Sequence, residues 1–165
     1  MDTKNKIKTF AEIVAIREQA KKEGKTIVTT NGSYDILHAG HVESLEESKS
    51  QGDILIVGIN SDSSVKQYKS PDRPIIPEQY RAIMVAGLAC VDYVFIFSEL
   101  NPIAFLEKLK PDVHTNSVDY GEDCIEKDAV LAGGGRLHLL KKYEGISTSA
   151  IIEKVLGIYC AVKKS

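Results

Sequence analysis

Residues 29–41, TTNGSYDILHAGH, place His38 and His41 three positions apart, with Gly40 between them and Asp35 just upstream. The chain of 165 residues has four histidines, so this stretch holds half of them. Three chemistries fit the spacing. In one, a polar loop simply enters a helix and the histidines are solvated. In another, His38 and His41 bind zinc one helical turn apart, but no Cys or carboxylate at ligand spacing accompanies them and H-E-x-x-H is absent. In the third, the stretch is a phosphate site. A helix N-terminus offers free N–H groups and partial positive charge. Glycine at position 40 lets a bulky anion approach the backbone. Two imidazoles beside it donate hydrogen bonds to phosphoryl oxygens as charge develops. Only the third reading accounts for the glycine, the histidines and the strand-to-helix position together.

The elements around the stretch are legible in outline. Thr9 and Glu12 have the spacing of a capping box, and Phe10, Ile13, Val14, Arg17 and Ala20 keep helical period up to Gly24. KTIVTT is a β-branched run, and HVESLEESKSQG reads as a helix stopped by Gly52. DILIVGIN is apolar without alternation, as a parallel strand covered on both faces should be. Helices are expected over Asp62–Tyr68 and Glu78–Ala89, a strand at VDYVFIF, and a helix opened by Asn101 and Pro102. PDVHT and RLHLL supply two more strands, and STSAIIEKVLG a last helix capped by Ser147. The alternation predicts an α/β fold: a Rossmann-like, doubly wound, mainly parallel five-stranded sheet with helices on both faces, in a single domain. Ligand chemistry is then expected where the chain leaves the strands' carboxyl ends, at 31–41, 60–69, 115–121 and 141–147. YKSPDRPIIPEQ is the clearest loop, and GGGR at 133–136 precedes a strand, so it reads as a turn rather than a dinucleotide loop.

Composition narrows the partners. A net charge of −2 offers no electrostatic footprint for nucleic acid or for an anionic membrane. Apolar runs such as 54–59 are too short to span a bilayer, and the first residues have no apolar segment of a signal peptide. Cys90, Cys124 and Cys160 have no metal spacing and fit reduced thiols in a cytoplasmic protein.

GSYDILHAGH resembles the signature of the cytidylyltransferase-like nucleotidyltransferases, G-[ST]-[FY]-D-x-x-H-x-G-H, and EGISTSAI at 144–151 resembles their C-terminal ISTT-type motif. The resemblance covers about residues 26–156. Between the motifs, GDILIVGINSDSSVKQYKSPDRPIIPEQYRAIMVAGLACVDYV is most similar to the adenylyltransferase domains of ADP-heptose synthesis proteins, then to glycerol-3-phosphate cytidylyltransferases. The resemblance implies attack of a phosphate monoester on the α-phosphate of a nucleoside triphosphate, with magnesium bound mainly through the nucleotide. His38, His41 and Lys66 are the implied catalytic residues. Asn31, Gly32, Ser33, Tyr34, Gly40, Arg81, Asp119, Ser147 and Thr148 are the implied nucleotide or phosphate contacts. Ser147 is also explained as an N-cap, and Arg81 otherwise as an exposed helix charge.

On the substrate side stand Asp35, Arg73, Tyr120 and Lys142. Asp35 suits magnesium, a substrate group or its own turn backbone; Arg73 suits a lid in the proline loop. The sequence also departs from the family. Asn116-Ser117-Val118 stands where heptose adenylyltransferases typically show two glycines before Asp-Tyr, and Lys142 replaces an arginine, losing its bidentate fork. The leading expectation is transfer of AMP from ATP to a sugar 1-phosphate, heptose 1-phosphate first, by a homodimer fed by a separate sugar kinase. Cytidylylation of glycerol 3-phosphate or a similar monoester comes second, and a non-catalytic nucleotide-binding module is the alternative of another class.

Overall fold

The computed structural model describes residues 2–121, 123–141, 143 and 145–162, with 161 and 162 described by backbone alone. Five strands, β1 (Ile27–Gly32), β2 (Ile54–Asn60), β3 (Tyr93–Phe97), β4 (Val113–Ser117) and β5 (Arg136–Leu140), form one sheet in the order β3-β2-β1-β4-β5. Every pairing is parallel, so the sheet expected to be mainly parallel is wholly so.

Register decides which face each side chain meets. Ile27 lies beside Ile54 and Val28 beside Leu55, so neighbours in sequence point to opposite faces. On one face Val28, Leu55, Val57 and Ile59 pack with Leu45 of α2 (Ala39–Lys49) and with Ala82 and Val85 of α4 (Glu78–Ala86). On the other, Ile27, Ile56, Phe95 and Phe97 pack with Ile13 and Ala20 of α1 (Phe10–Lys22), Phe105 and Leu106 of α5 (Ile103–Leu109), and Val130 of α6 (Lys127–Ala132). A core on each face is what the unalternating apolar strands require. Two further helices, α3 (Asp62–Tyr68) and α7 (Thr148–Val162), follow β2 and β5. Among the described residues no helix is long and apolar enough to cross a membrane.

Local signals hold where a cap fixes them. Thr9 N–H donates to Glu12 Oε2 at 2.8 Å, and Glu12 N–H returns to Thr9 Oγ1 at 3.3 Å. Asn101 accepts from Ile103 N–H at 3.2 Å, which starts α5 one residue later than the Asn-Pro reading placed it. The helix expected to reach Ala89 ends at Ala86, with Gly87 as C-cap. α7 continues through Gly157, which has ordinary helical room around it. α6 was not anticipated. The Gly133–Gly135 turn ends it: Gly134 has φ +84°, and a Cβ on Gly135 would strike the Pro111 carbonyl.

The topology turns at β1. The chain winds outward through β2 and β3, then returns to lay β4 on the other side of β1. β1 and β4 share only two register pairs, Val28 with Val113 and Thr29 with His114, against six between β1 and β2. Past Thr29 the two strands part, and the cleft between their carboxyl ends is the switch point where such sheets bind ligands.

At the last shared pair, Thr29 Oγ1 and His114 Nδ1 form a 2.8 Å hydrogen bond. His114 is wholly buried, and burial pulls its pKa down to about 3. An unfolded histidine titrates near 6.5, so between these values the unfolded chain holds a proton that the folded one excludes. That imbalance makes stability fall as pH drops through this window. Thermal melting from pH 7 to pH 4 should therefore show a declining Tm, with a shallower decline in His114→Asn; parallel profiles for the two proteins would show that this imidazole is not responsible.

Candidate active site

The site grows from the loop between β1 and α2. Tyr34 sits at φ +48° and is buried, its ring lying over Gly32, where an added Cβ would be 3.1 Å from the ring. The tyrosine meets the His41 ring edge-on, with centroids 5.2 Å apart. His41 in turn stacks on His38 at 3.8 Å, the planes inclined by 20°. His38 begins α2 through its carbonyl, which accepts from His41 N–H at 2.9 Å, while its side chain makes no capping bond. Gly40 explains the stack: a Cβ there would stand 3.3 Å from His38 Cε1 and Nδ1, and 3.6 Å from the Ile146 side chain. The glycine expected to admit an anion makes room for an imidazole.

Both histidines carry a buried Nδ1 with no hydrogen-bond partner among the described residues. Unpaired buried polar atoms are uncommon, and a ligand is one reason to keep them. Burial, then the neighbouring His38 and Lys69, bring the His41 pKa down to about 4; burial alone lowers that of His38. The pair is therefore neutral at pH 7.

The cation in the site is Lys69. It caps the C-terminus of α3, donates to Ser33 Oγ at 2.9 Å and lines the cleft; burial, followed by Arg73, lowers its pKa. Lys66, expected in that role, is exposed on α3 and does not line the cleft. The helix is only seven residues long, and its end turns Lys69 rather than Lys66 toward the β1 loop.

Arg81 also departs from both of its expected places. It is fully buried on α4 and lies outside the cleft lining. Its guanidinium donates to the carbonyls of Ile76 (2.9 Å), Asn60 (2.8 Å) and Ser33, and to Asp62 Oδ1 (2.8 Å). It acts on the site through the backbone that carries Ser33 and Asn60. Asp35 is buried as well. It accepts from Arg73 Nε at 2.6 Å and from the amides of Ile75 and Ile76 at 2.8 and 2.9 Å. Burial by itself would raise its pKa, but those bonds outweigh it and hold the carboxyl below the ordinary carboxylate value. Asp35 and Arg73 thus latch the proline loop to the β1 loop, and neither lines the cleft. Both Asp35 oxygens thus accept from protein donors.

The cleft itself is about 420 Å³. Its β1 side is made by Thr30, Asn31, Gly32, Ser33 and Tyr34, with His41, Ser44 and Ser48 from α2. Ser48 Oγ and Thr115 Oγ1, 2.7 Å apart, join α2 to β4 beneath it. The β4 side brings Asn116, Ser117, Tyr120, Ile125 and Glu126, and Leu100, Asn101 and Pro102 form a wall above β3. Tyr120 lines the cleft while largely exposed, and Asp119 lies beside it in the short 3-10 turn Val118–Tyr120, outside the lining. Ser147 caps α7, accepting from Ala150 N–H at 3.2 Å, and Thr148 is the first helical residue. Neither lines the cleft, yet Ile146 beside Gly40 brings the starts of α7 and α2 together. Glu47 of α2 secures that approach: it accepts from Lys141 N–H (3.2 Å) and the Tyr143 hydroxyl (3.1 Å), and pairs with His138 Nε2 (3.1 Å). Lys142 lies outside the described residues. Asn60, Tyr68 and Lys69 fall in the expected 60–69 segment without having been singled out as site residues, and Glu126 lies outside every expected segment. Lys69 was signalled by its position after β2; Glu126 stands on a helix the sequence did not announce.

A strand, a tight loop and a helix carrying H-x-G-H at the switch point of a parallel sheet define a nucleotidyltransferase. The chain belongs to the cytidylyltransferase-like family, whose model matches residues 29–154. It is 45% identical to the bifunctional protein HldE of Geobacter metallireducens over 96% of its length, and 45% identical to that of Nitratiruptor sp. over 93%. The chain spans about a third of these relatives, 32% in both cases. Among solved structures, the lipopolysaccharide core biosynthesis protein of Thermoplasma volcanium superposes with a TM-score of 0.60 at 27% identity, covering 74% of this chain and all of the other. The pantoate-beta-alanine ligase of Francisella tularensis, at 17% identity and TM-score 0.60 over 84% of this chain and 67% of its own, shares the fold.

Because Arg81 gathers carbonyls from three segments, replacing it strands buried acceptors at once. Arg81→Ala should lose about 3–5 kcal/mol of stability, the range for breaking a buried charged pair. Urea unfolding measures this, and a loss below about 1 kcal/mol, surface-sized, would dismiss the clamp.

Proposed function

We propose that this domain transfers AMP from ATP to a sugar 1-phosphate, heptose 1-phosphate being the leading acceptor, and releases pyrophosphate. The observation that carries the reading is the stacked His38–His41 pair. Its Nδ1 atoms are buried and unpartnered among the described residues, and His41 lines the switch-point cleft with Lys69. The likeness to HldE proteins and to a lipopolysaccharide core biosynthesis protein supports the sugar acceptor. The resemblance of SPDRPIIPEQYR to the adenylyl branch supports ATP.

The chain's own part is positioning and charge neutralisation. An oxygen of the acceptor phosphate attacks the α-phosphorus, the bond to the bridging oxygen breaks, and that electron pair leaves with pyrophosphate. Lys69 and the α2 N-terminus hold phosphates in the ground state. His41 donates an N–H where negative charge grows on the departing group. A neutral imidazole suits that task, since it does not bind the ground-state phosphates as strongly as a cation would. Among the described residues no three His, Cys, Asp or Glu side chains gather as a metal site. Mg²⁺ favours phosphate oxygens and water, so it fits here as a companion of the nucleotide, where it neutralises phosphate charge. A sugar kinase activity must supply the acceptor. A homodimer belongs to the same reading, and the exposed Ile75, Tyr80 and Ile83 on the proline loop and α4 support an interface there.

A panel of nucleoside triphosphates against phosphate monoesters, scored by pyrophosphate release, tests the assignment. ATP with heptose 1-phosphate should turn over fastest. Equal or faster release with CTP and glycerol 3-phosphate would move the domain to the cytidylyl branch, and none with any pair would leave a binding module.

His41→Ala probes the mechanism. It should fold, bind ATP within about an order of magnitude of the parent, and lose about 10²–10³ in kcat. Kinetics within a few-fold of the parent would return the histidine to a helix-start role.

A further inference from the structure

The β4 side of the cleft holds a group that phosphate chemistry does not explain. Glu126 is buried at 7% exposure, lines the cleft, and stands directly before α6. Its Oε2 accepts from Asn116 Nδ2 at 3.2 Å. Asn116 is itself held, its Oδ1 accepting from Ser117 N–H at 2.9 Å, so its amide group is oriented with the donor toward the carboxylate. The Cys124 thiol lies against both residues, and Lys127 pairs with Asp123 at 2.9 Å. Among the described residues no ion pair neutralises Glu126. Asn116 opens the Asn116-Ser117-Val118 segment, which stands where the resembled branch typically has two glycines before Asp-Tyr.

A carboxylate in a cleft for polyanions must keep away from their phosphates. Lys69, His41 and Ser33 stand on the β1 side, while Glu126 and Asn116 stand on the β4 side with Tyr120 and Ile125. An ionised carboxylate only accepts hydrogen bonds, so what it meets must bring donors. Two carboxylate oxygens suit two neighbouring hydroxyls, as acidic residues take ribose hydroxyls in other doubly wound sheets.

We propose that Glu126, oriented by Asn116, is a specificity-determining residue that accepts hydrogen bonds from adjacent hydroxyls of a sugar ring seated at the β4 side of the cleft. The inference rests on the nucleotidyltransferase reading above, in which nucleotide and acceptor both carry such hydroxyls. The experiment separates these two sources.

Glu126→Gln keeps the side chain's size and turns one acceptor into a donor. Its steady-state kinetics should show a KM about tenfold or more higher for one of the two substrates, with kcat within about threefold, the scale of a lost hydrogen bond to a charged group. Deoxy analogues assign the source. If it is the nucleotide, 2′-deoxy- or 3′-deoxy-ATP should weaken the parent by a similar factor and the variant little. If it is the acceptor, a sugar phosphate lacking one ring hydroxyl should do so. Asn116→Ala should raise the same KM by less, since Asn116 only orients the carboxylate. Unchanged KM values for both substrates in both variants would overturn the inference, as would a loss that follows the base amine when ITP replaces ATP. If the parent releases no pyrophosphate, the functional reading fails separately. Calorimetric titration with ATP and with the sugar phosphate then decides about Glu126: weaker binding of either by Glu126→Gln supports it, and unchanged binding of both refutes it.

Discussion

A strand that ends inside a protein leaves carbonyl groups with no sheet partner, and here Arg81 collects them. Its guanidinium joins the carbonyls of Ser33 after β1, Asn60 at the end of β2 and Ile76 in the proline loop, with Asp62 at the start of α3. The planar fork of arginine suits such divergent acceptors, where a lysine's single ammonium would not. Everything on the β1 side of the cleft hangs from this junction. Ser33 receives Lys69, the loop after Ser33 sets Tyr34 against the histidine stack, and Asp35 fastens the proline loop. A charged residue at the centre of a core is costly unless fully bonded. Arg81 meets that condition, and the loops it joins gain a fixed geometry in return.

The same site keeps little positive charge of its own. Burial leaves His38 and His41 neutral, and lowers the pKa of Lys69. On the proposed function, attraction for the nucleotide's phosphates would come from the start of α2 and from backbone N–H groups. Such partial charges need no reorganisation when the ligand arrives, and they leave room for interactions that strengthen only as pyrophosphate departs. The stack of two imidazoles at 3.8 Å would resist double protonation, which acts in the same direction as burial.

How much of this was legible follows from what each signal depends on. The parallel sheet was readable because strands covered on both faces lose alternation, and α1 because Thr9 and Glu12 cap it locally. The H-x-G-H stretch was readable as a site because residue type and position agreed. Four things were not. Lys66 and Lys69 are one turn apart, and only the end of a seven-residue helix decides which reaches the cleft. Arg81 sits beside Ala82 and Val85 on the buried face of α4, but a charged letter at a core position reads as surface. That His38 folds back over Gly40 is a contact no sequence shows. α6, with six residues after a polar turn, has too short a period to declare itself, and Glu126 was hidden with it.

The two halves of the sheet thus divide the work. β1 and β2, with α2 and α3, carry the groups to which the proposed function gives the phosphates. β4, with α6, carries the departure at Asn116 and the buried Glu126. Beneath the cleft the halves are joined by side chains, among them Thr29 with His114, Thr30 Oγ1 donating to the Thr115 carbonyl at 3.1 Å, and Ser48 with Thr115. Because β1 and β4 share only two register pairs, side chains beyond Thr115 can change without disturbing the phosphate side. That is a physical reason for the motif residues to be those expected of the family while the β4 end differs: the chemistry is fixed by a crowded junction around Arg81, and recognition is left to a strand end that the junction does not reach.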